Sequence, residues 1–402
     1  PPNTAFRGFG GPQGMFVIEC AIVRAASEIG VSPIKIQEAN LLQDNDSFSY
    51  GQIATQVEAQ NTWDSAKSLF NLESLEKEVE DFNSTHQNFK KGLALMPIAF
   101  GISFTNTPMN HARALVHIYQ DGSVGISTAA VEMGQGVNTK MLQIAAQVFS
   151  IENSKVKIET TNTTRVANTS PSAASSTADL NGKALLKACN LLRDRLKEIV
   201  AEDYKTQKEH IELKDEFVYI NSEKTDLTWT ALIGKAMERR VALSENAHYA
   251  TPIIHFDKTK EKGHPFAYHV YGTAIITTTV DCTRGTYVFD DVKIVHDYGK
   301  SMSEGIDLGQ VEGALAQGIG WMTMEEIAYG KDGRLLSNAL STYKIPDIFS
   351  ISEDITDKEE VEDLLVIALN KALEKANTIS ETELAAAAKD GMPNIPGMDL
   401  FR

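Results

Sequence analysis

Four segments dense in glycine, alanine and serine lie far apart along this chain of 402 residues. They are AFRGFGGPQ (5–13), EMGQG (132–136), TSPSAASSTADLNG (169–182) and DLGQVEGALAQG (307–318). Each sits beside a glutamine or a predicted helix start. Small residues let backbone come close to a bulky ligand, and N–H groups at a helix N-terminus bind anions. Gln135 and Gln310 each offer two donors and an acceptor, suited to a heterocycle edge or a phosphate. One such loop alone reads as an ordinary tight turn. Four of them constrain the fold: converging, they would suit a large, anionic ligand rich in hydrogen-bonding groups. None is a Walker A loop or a Rossmann GxGxxG.

Hydrophobic periodicity supplies the elements between the loops. A helix is predicted from Met15 to about Ile29, with Gly30 as its stop. Residues 31–91 read as mainly helical and polar, with Leu69, Leu72, Leu75 and Val79 at helical spacing. Residues 92–105 turn apolar and strand-like, and 113–127 read as a hairpin about Asp121-Gly122. A helix over 139–149 and a strand over 155–160 follow. After the small polar run 161–182 comes a helix over 183–202, with Leu185, Cys189, Leu192, Leu196 and Ile199 near one face. Residues 271–281 and 286–297 form a second hairpin about Thr283-Arg284-Gly285, and a further helix spans about 307–321. The predicted fold class is α+β: mixed or antiparallel sheets with flanking helices, plus a helical C-terminal tail.

Charge and cysteine usage exclude several functions. With 38 basic and 54 acidic side chains the net charge is −16, which argues against a nucleic-acid coat and against an anionic membrane surface. Nucleic acid is therefore not an expected partner. No apolar run reaches about 18 residues, so no membrane span is expected. No charged-then-apolar leader opens the chain, so a cytoplasmic location is expected. Cys20, Cys189 and Cys282 lie far apart and cannot hold an iron–sulfur cluster, which needs about four thiolates. His117, His255 and His296 sit in strand-like runs and read as satisfied core or rim groups rather than ligands.

The four loops, in this order, resemble those of the molybdenum hydroxylases, the xanthine dehydrogenase family above all. FGISFT (100–105), ALVHIYQDGSV (114–124), EMGQGVNTKMLQ (132–143), DLGQVEGALAQGIGWMTMEE (307–326) and STYKIP (341–346) are similar to that family too. The resemblance covers about residues 1–346 and points to the C-terminal part of the molybdopterin-binding subunit or domain. It implies a molybdenum ion held by a dithiolene pterin, often as the cytosine dinucleotide, with no side-chain ligand to the metal. Arg7 and Ala174 would lie nearest the molybdenum. Ala173 and Ala174 would pack against the metal centre, and Gln135 and Gln310 would hydrogen-bond the pterin. Ser175, Ser176 and Thr177 would lie near the pterin or its phosphates. Phe9 and Phe104 would sandwich an aromatic substrate, and Thr105 would hydrogen-bond it. Outside this context Phe9 and Phe104 would read as core residues and Arg7 as a loop ion pair.

The resemblance implies hydroxylation of a purine such as hypoxanthine or xanthine, with water as the oxygen source. An aldehyde oxidase-like substrate is the alternative. It also implies FAD and 2Fe–2S centres on partner subunits or on domains outside this chain, and a homo-oligomer. The family's general-base glutamate, in a Gly-Glu-Pro-like segment beyond STYKIP, has no counterpart in this sequence. The chain, which opens on Pro1 without a methionine, is thus expected to be a fragment, inactive alone. Residues 350–401 resemble instead the C-terminal half of the YbaB/EbfC nucleoid-associated proteins, through DKEEVEDLL, an amphipathic helix and NIPGM. Residues 351–402 carry net −7, which repels a phosphate backbone, so no DNA contacts are assigned. A dimerising module built on Leu365 and Leu373 is the non-enzymatic alternative. The expected organisation is the end of a first molybdopterin-binding domain and a connector (1–91), a second such domain (92–348) and the tail (349–402).

Overall fold

The structure is a computed structural model that describes residues 6–159 and 161–347. The YbaB/EbfC-like tail helix and its dimerisation lie outside the described residues.

Local chemistry fixes where the first helix begins and ends. α1 (Gly11–Ile29) starts four residues before the expected Met15, because Pro12 in its first turn is already locked near helical φ. Gly30 ends it in the left-handed conformation (φ 72°), with its N–H on the Ala26 carbonyl. α2 (Pro33–Ala39), α3 (Ala59–Leu69) and α4 (Leu72–Thr85) supply the helical character expected of 31–91. The stretch 40–58 between α2 and α3 is irregular instead, with one isolated bridge, Ser47 to Ile53.

The remaining elements follow in chain order as β1 (Phe89–Ile102), β2 (His111–Ile118), β3 (Val124–Thr128), α5 (Val137–Phe149), β4 (Val156–Glu159) and α6 (Thr177–Tyr204). Then come β5 (Ile211–Lys214), β6 (Phe217–Ile220), β7 (Glu223–Thr228), α7 (Trp229–Glu238) and β8 (Ser244–Ala250). The short β9 (His255–Asp257) and β10 (Lys262–His264) precede the long β11 (Tyr268–Asp281), β12 (Thr286–Asp297) and α8 (Glu304–Thr323). The sheets run β1-β11-β12, β4-β3-β2-β8, β5-β6-β7 and β9-β10. All pairings are antiparallel except β3 with β4. The α+β mixture expected from the sequence is what forms.

Both predicted hairpins are present. In the first, Gly122 adopts φ 84°, and Asp121 Oδ1 accepts from the Ser123 N–H (2.9 Å) and hydroxyl (2.6 Å), closing an Asx turn. α6 begins at Thr177, six residues before the expected 183. Asp179 in its first turn complements the helix dipole. Leu180 and Gly182 are buried, Gly182 so close to Ile144 of α5 that a Cβ would lie 2.9 Å from its methyl. Packing thus extends the helix into a run that reads locally as loop. The segment 211–250 forms β5–β7, α7 and β8. Thr228 Oγ1 caps α7 by accepting from the Ala231 N–H (3.2 Å).

Among the described residues two hydrophobic cores result, both in a compact unit that runs to Leu308. The larger packs α5, α6 and α7 against the β2 sheet through Val116, Ile126, Met141, Phe149, Leu185 and Trp229. The smaller joins α3 and α4 to β1 and β11 through Trp63, Ala66, Leu72, Leu95 and Ile275. Among the predicted rim histidines, His117 is half-buried and His255 exposed. His296 departs from expectation: its Nδ1 is buried without a hydrogen-bond partner among the described residues, and burial holds its pKa below the ordinary value.

A second unit begins at Gly309. There Tyr343 donates its hydroxyl to Glu325, and Gly320 leaves no room for a Cβ beside Pro346 and Glu325. The segments MTMEE and STYKIP are therefore packed together. Among the described residues no helix is long and apolar enough to cross a membrane.

Candidate functional site

The segment EMGQG is organised by a residue that composition alone does not single out. Glu132 Oε1 accepts from the Gly134 and Gly136 N–H groups (both 2.9 Å), and Oε2 accepts from Asn138 N–H (3.0 Å). One carboxylate thus gathers the donors that open α5. Burial pushes the Glu132 pKa up, but the Asn138, Gly136, Gly134 and Met133 N–H groups together hold it below the ordinary carboxylate range. Gln135 is tied into the same loop: its Oε1 accepts from Met133 N–H (2.6 Å) and its Nε2 donates to Val131 O (2.7 Å). Gly136 combines φ 73° with a close approach, since a Cβ there would lie 2.6 Å from Ile306 Cγ2.

The sign of the pH dependence follows. Glu132 titrates lower when folded, so its contribution is complete above the unfolded value of about 4.3. It is lost as pH falls through the lowered folded value. In an acid titration followed by NMR, the Gly134 and Gly136 amide resonances are expected to hold steady above pH 5 and shift below it. Glu132→Gln removes that transition.

The segment at 169–182 is bent by two consecutive left-handed residues, Ala174 (φ 56°) and Ser175 (φ 54°). Conformations of that kind are costly for residues other than glycine. Ser176 is buried, and its N–H and hydroxyl both reach Ala173 O (3.3 and 3.2 Å), so it braces the bend. Ala173 and Ser175 are exposed, while Ala174 and Thr177 are half-buried. α6 then opens with no side-chain cap. In its first turn Asp179 accepts from the Tyr268 hydroxyl (2.7 Å). Burial raises the Asp179 pKa, against the pull of Tyr268, Lys183 and Lys140.

Three hydrogen-bonded joints connect these segments. Val131 N–H donates to Ser172 Oγ (2.8 Å), tying EMGQG to the alanine bend. Ser170 donates its hydroxyl to Met109 O and its N–H to His111 O (3.4 Å), tying that bend to the loop after β1. Lys140 pairs with Asp307 (2.7 Å), tying α5 to the start of DLGQV. Asp307 also accepts from the Ser301 hydroxyl (2.6 Å). Burial raises its pKa, but Lys140 and Ser301 prevail and hold it low.

Phe104 and Thr105 ride on the loop between β1 and β2, and a buried asparagine holds that loop. Asn110 Oδ1 accepts from Phe104 N–H (2.8 Å), and its Nδ2 donates to Phe104 O (2.9 Å) and Thr107 O (3.1 Å). Phe104 is half-buried and Thr105 exposed. Arg7 and Phe9 lie in the turn that precedes α1. Both are exposed, Phe9 in a left-handed conformation with its N–H on Phe6 O (2.8 Å). Gly11 seats this turn on the end of β1, since a Cβ there would lie 2.6 Å from the Phe100 ring. Phe9 and Phe104 do not stack on one another among the described residues. Gln310 is on α8, in the second unit. Among the described residues no group of three His, Cys, Asp or Glu side chains could hold a metal ion. Glu132, Asn110, Asp179 and Tyr268 brace these segments, and sequence reasoning gave none of them a role.

Comparison with known proteins gives a consistent result. Two family models, each described as a molybdopterin cofactor-binding domain, match residues 65–352 and 1–41. The xanthine dehydrogenase/oxidase of Gallus gallus is 38% identical over 344 residues, which is 86% of this chain and 24% of that protein. Aldehyde oxidase 2 of Macaca fascicularis is 37% identical over 354 residues, 88% of this chain and 25% of that protein. The crystal structure of quinoline 2-oxidoreductase from Pseudomonas putida 86 shares the fold. Its TM-score is 0.76 at 22% identity, over 86% of this chain and 45% of that one. The chain thus spans about a quarter of the length of the curated relatives it matches.

Proposed function

Since the chain belongs to the molybdopterin cofactor-binding domain family, we propose that it forms part of the molybdenum site of a xanthine dehydrogenase-like hydroxylase, oxidising a purine such as hypoxanthine or xanthine. The observation that carries this reading is the pair of joints at Ser172 and Ser170. They unite the EMGQG loop, the alanine bend and the Phe104 loop in one hydrogen-bonded assembly.

The residues present fit a molybdenum-bearing pterin. The bend at Ala173–Ser176 carries two methyl groups and leads into an uncapped helix start. That combination leaves room for bulk and N–H donors for an anion. When bound, the group supplies two-electron oxidation with insertion of oxygen from water. Ala173 and Ala174 would pack against its metal end, Arg7 would lie beside it, and Gln135 would hydrogen-bond the pterin. Ser175, Ser176 and Thr177 lie near the pterin or its phosphates. Gln135 brings an amide already fixed by its own loop, so it meets a ligand with little loss of side-chain entropy. Phe9 and Phe104 sandwich the substrate ring, and Thr105 hydrogen-bonds it. No general base is assigned in this chain, which is therefore inactive by itself. 2Fe–2S and FAD centres on partner subunits or domains would take up the electrons. We read the assembly as a cytoplasmic homo-oligomer.

The test is the molybdenum and pterin content of the chain purified from a host that supplies the cofactor. Near-stoichiometric metal is expected in the native chain, with at least a tenfold loss in Ala174→Leu and no turnover of hypoxanthine. A metal-free native chain overturns the cofactor reading, and turnover overturns the claim of inactivity. The similarity to an aldehyde oxidase favours an aldehyde substrate as a second reading. Oxidation of an aldehyde but not hypoxanthine, once flavin and iron–sulfur partners are supplied, would select it.

A further inference from the structure

We propose that Arg113, Lys187, His111 and His248 form a binding site for a compact dianion of the phosphate class at the β2–β8 edge. β2 and β8 pair antiparallel with Arg113 opposite His248, and His111 is diagonal to His248 on the same face. That face is turned away from the core alanines Ala112, Ala114 and Ala247. β8 ends its sheet among the described residues. Lys187 reaches this edge from α6, its ammonium donating to His248 O (3.3 Å). Arg113, Lys187 and His248 are exposed and His111 is half-buried, so the donors are open to a solute.

The arrangement of charge calls for an anion. Like charges facing one another across a strand pair destabilise it, yet basic groups gather here. The neighbours whose charge acts on the His248 ring are His111, Arg113 and Lys187, with no carboxylate among them. Among the described residues no carboxylate pairs with Arg113 either. Elsewhere in the same unit cations are matched: Arg195 holds Glu245, and Lys235 and Arg239 hold Asp203. The chain carries 54 acidic against 38 basic side chains, so acids are not in short supply. A dianion seated among these groups turns their mutual repulsion into attraction.

The donors suit phosphate oxygens. Arg113 offers a planar fork of N–H groups that matches two oxygens of one phosphate. His248 Nε2 and His111 Nδ1 are 3.4 Å apart, with ring planes inclined at 45°. With one proton between them, the neutral pair keeps one N–H on a far ring nitrogen for an anion. Asn246, two residues before His248 on β8, adds an exposed amide on the same face. The backbone of His111 is held in place by the Ser170 N–H, which donates to its carbonyl (3.4 Å). None of these side chains is assigned to the pterin or to its substrate, so the proposal stands apart from the molybdopterin reading.

The experiment titrates inorganic phosphate into the full chain at pH 7.5 and constant ionic strength, followed by NMR of the histidine ring protons. Saturable shifts of the His111 and His248 signals are expected, with no shift of His255. Affinity is expected to fall at least tenfold in Arg113→Gln and at least threefold in Lys187→Gln, both at exposed positions. Calorimetry on His248→Gln, expected to show at least a threefold loss, tests the site without relying on that ring's own signal. Glycerol phosphate is titrated in parallel. Binding of both identifies a site for the terminal phosphate of an ester, and binding of inorganic phosphate alone identifies a site for the free ion. Absence of saturable shifts with either overturns the proposal. So does native affinity in Arg113→Gln, or an equal response to chloride.

Discussion

Trp229→Ala is expected to destabilise the first unit by about 3–5 kcal/mol, the range for removing a large aromatic from a packed core. Trp229 is 1% exposed at the head of α7. Its ring lies against Phe149 with centroids 5.4 Å apart, and its Nε1–H donates to Gly122 O (2.7 Å). The residue therefore joins α7 to α5 and to the turn of the first hairpin. Trp229→Phe retains most of the volume but leaves the Gly122 carbonyl without its donor. It is expected to cost less, about 1–3 kcal/mol for the orphaned group plus the lost packing. Urea denaturation followed by circular dichroism gives both values. An alanine variant within 1 kcal/mol of the native chain would show that this tryptophan does not hold the core.

Asn110→Ala is expected to do less to global stability and more to the Phe104 loop. Three hydrogen bonds disappear, and the Phe104 N–H and C=O lose their partners inside the protein. The cost is about 2–3 kcal/mol. Most of it is expected as local opening of residues 103–110, because the loop can recover water as it opens. Hydrogen exchange at Phe104 should therefore quicken by a factor of ten or more, while the large core retains its protection. If the loop orders the substrate stack as proposed, the assembled enzyme should lose turnover with little change in molybdenum content. Unchanged exchange at Phe104 would remove Asn110 from that role.

The contrast between these two residues shows what the sequence made legible. Asp121-Gly122 announces its hairpin because the turn's φ and its Asx bond are decided within three residues. α1 and α8 are similarly visible from their own periodicity. The start of α6 is not: Thr177–Gly182 is rich in small and polar residues, and it becomes helical because Leu180 and Gly182 are buried. The site divides in the same way. Its four small-residue segments stand out as composition. Glu132 and Asn110 do not, because their importance lies in which backbone groups they satisfy across a turn. A carboxylate before a glycine pair and an asparagine after a Thr-Pro turn are the only sequence-level traces. Asp179 and Tyr268 are 2.7 Å apart in space yet belong to distant segments, so no local pattern links them.

The pairing of β1 with β11 also sets a timetable. Phe89 meets Asp281, so the first strand of that sheet leaves the ribosome long before its partner exists. Loop closure over such a span is slow, whereas β11 and β12 are joined by a short turn and can zip together at once. During synthesis the whole β2 sheet with α5 and α6 can consolidate while β1 waits with both edges bare. An unpaired strand of 14 residues is a template for intermolecular association. Yield in a heterologous host should therefore respond more to translation speed and chaperone supply than to the stability of the finished fold.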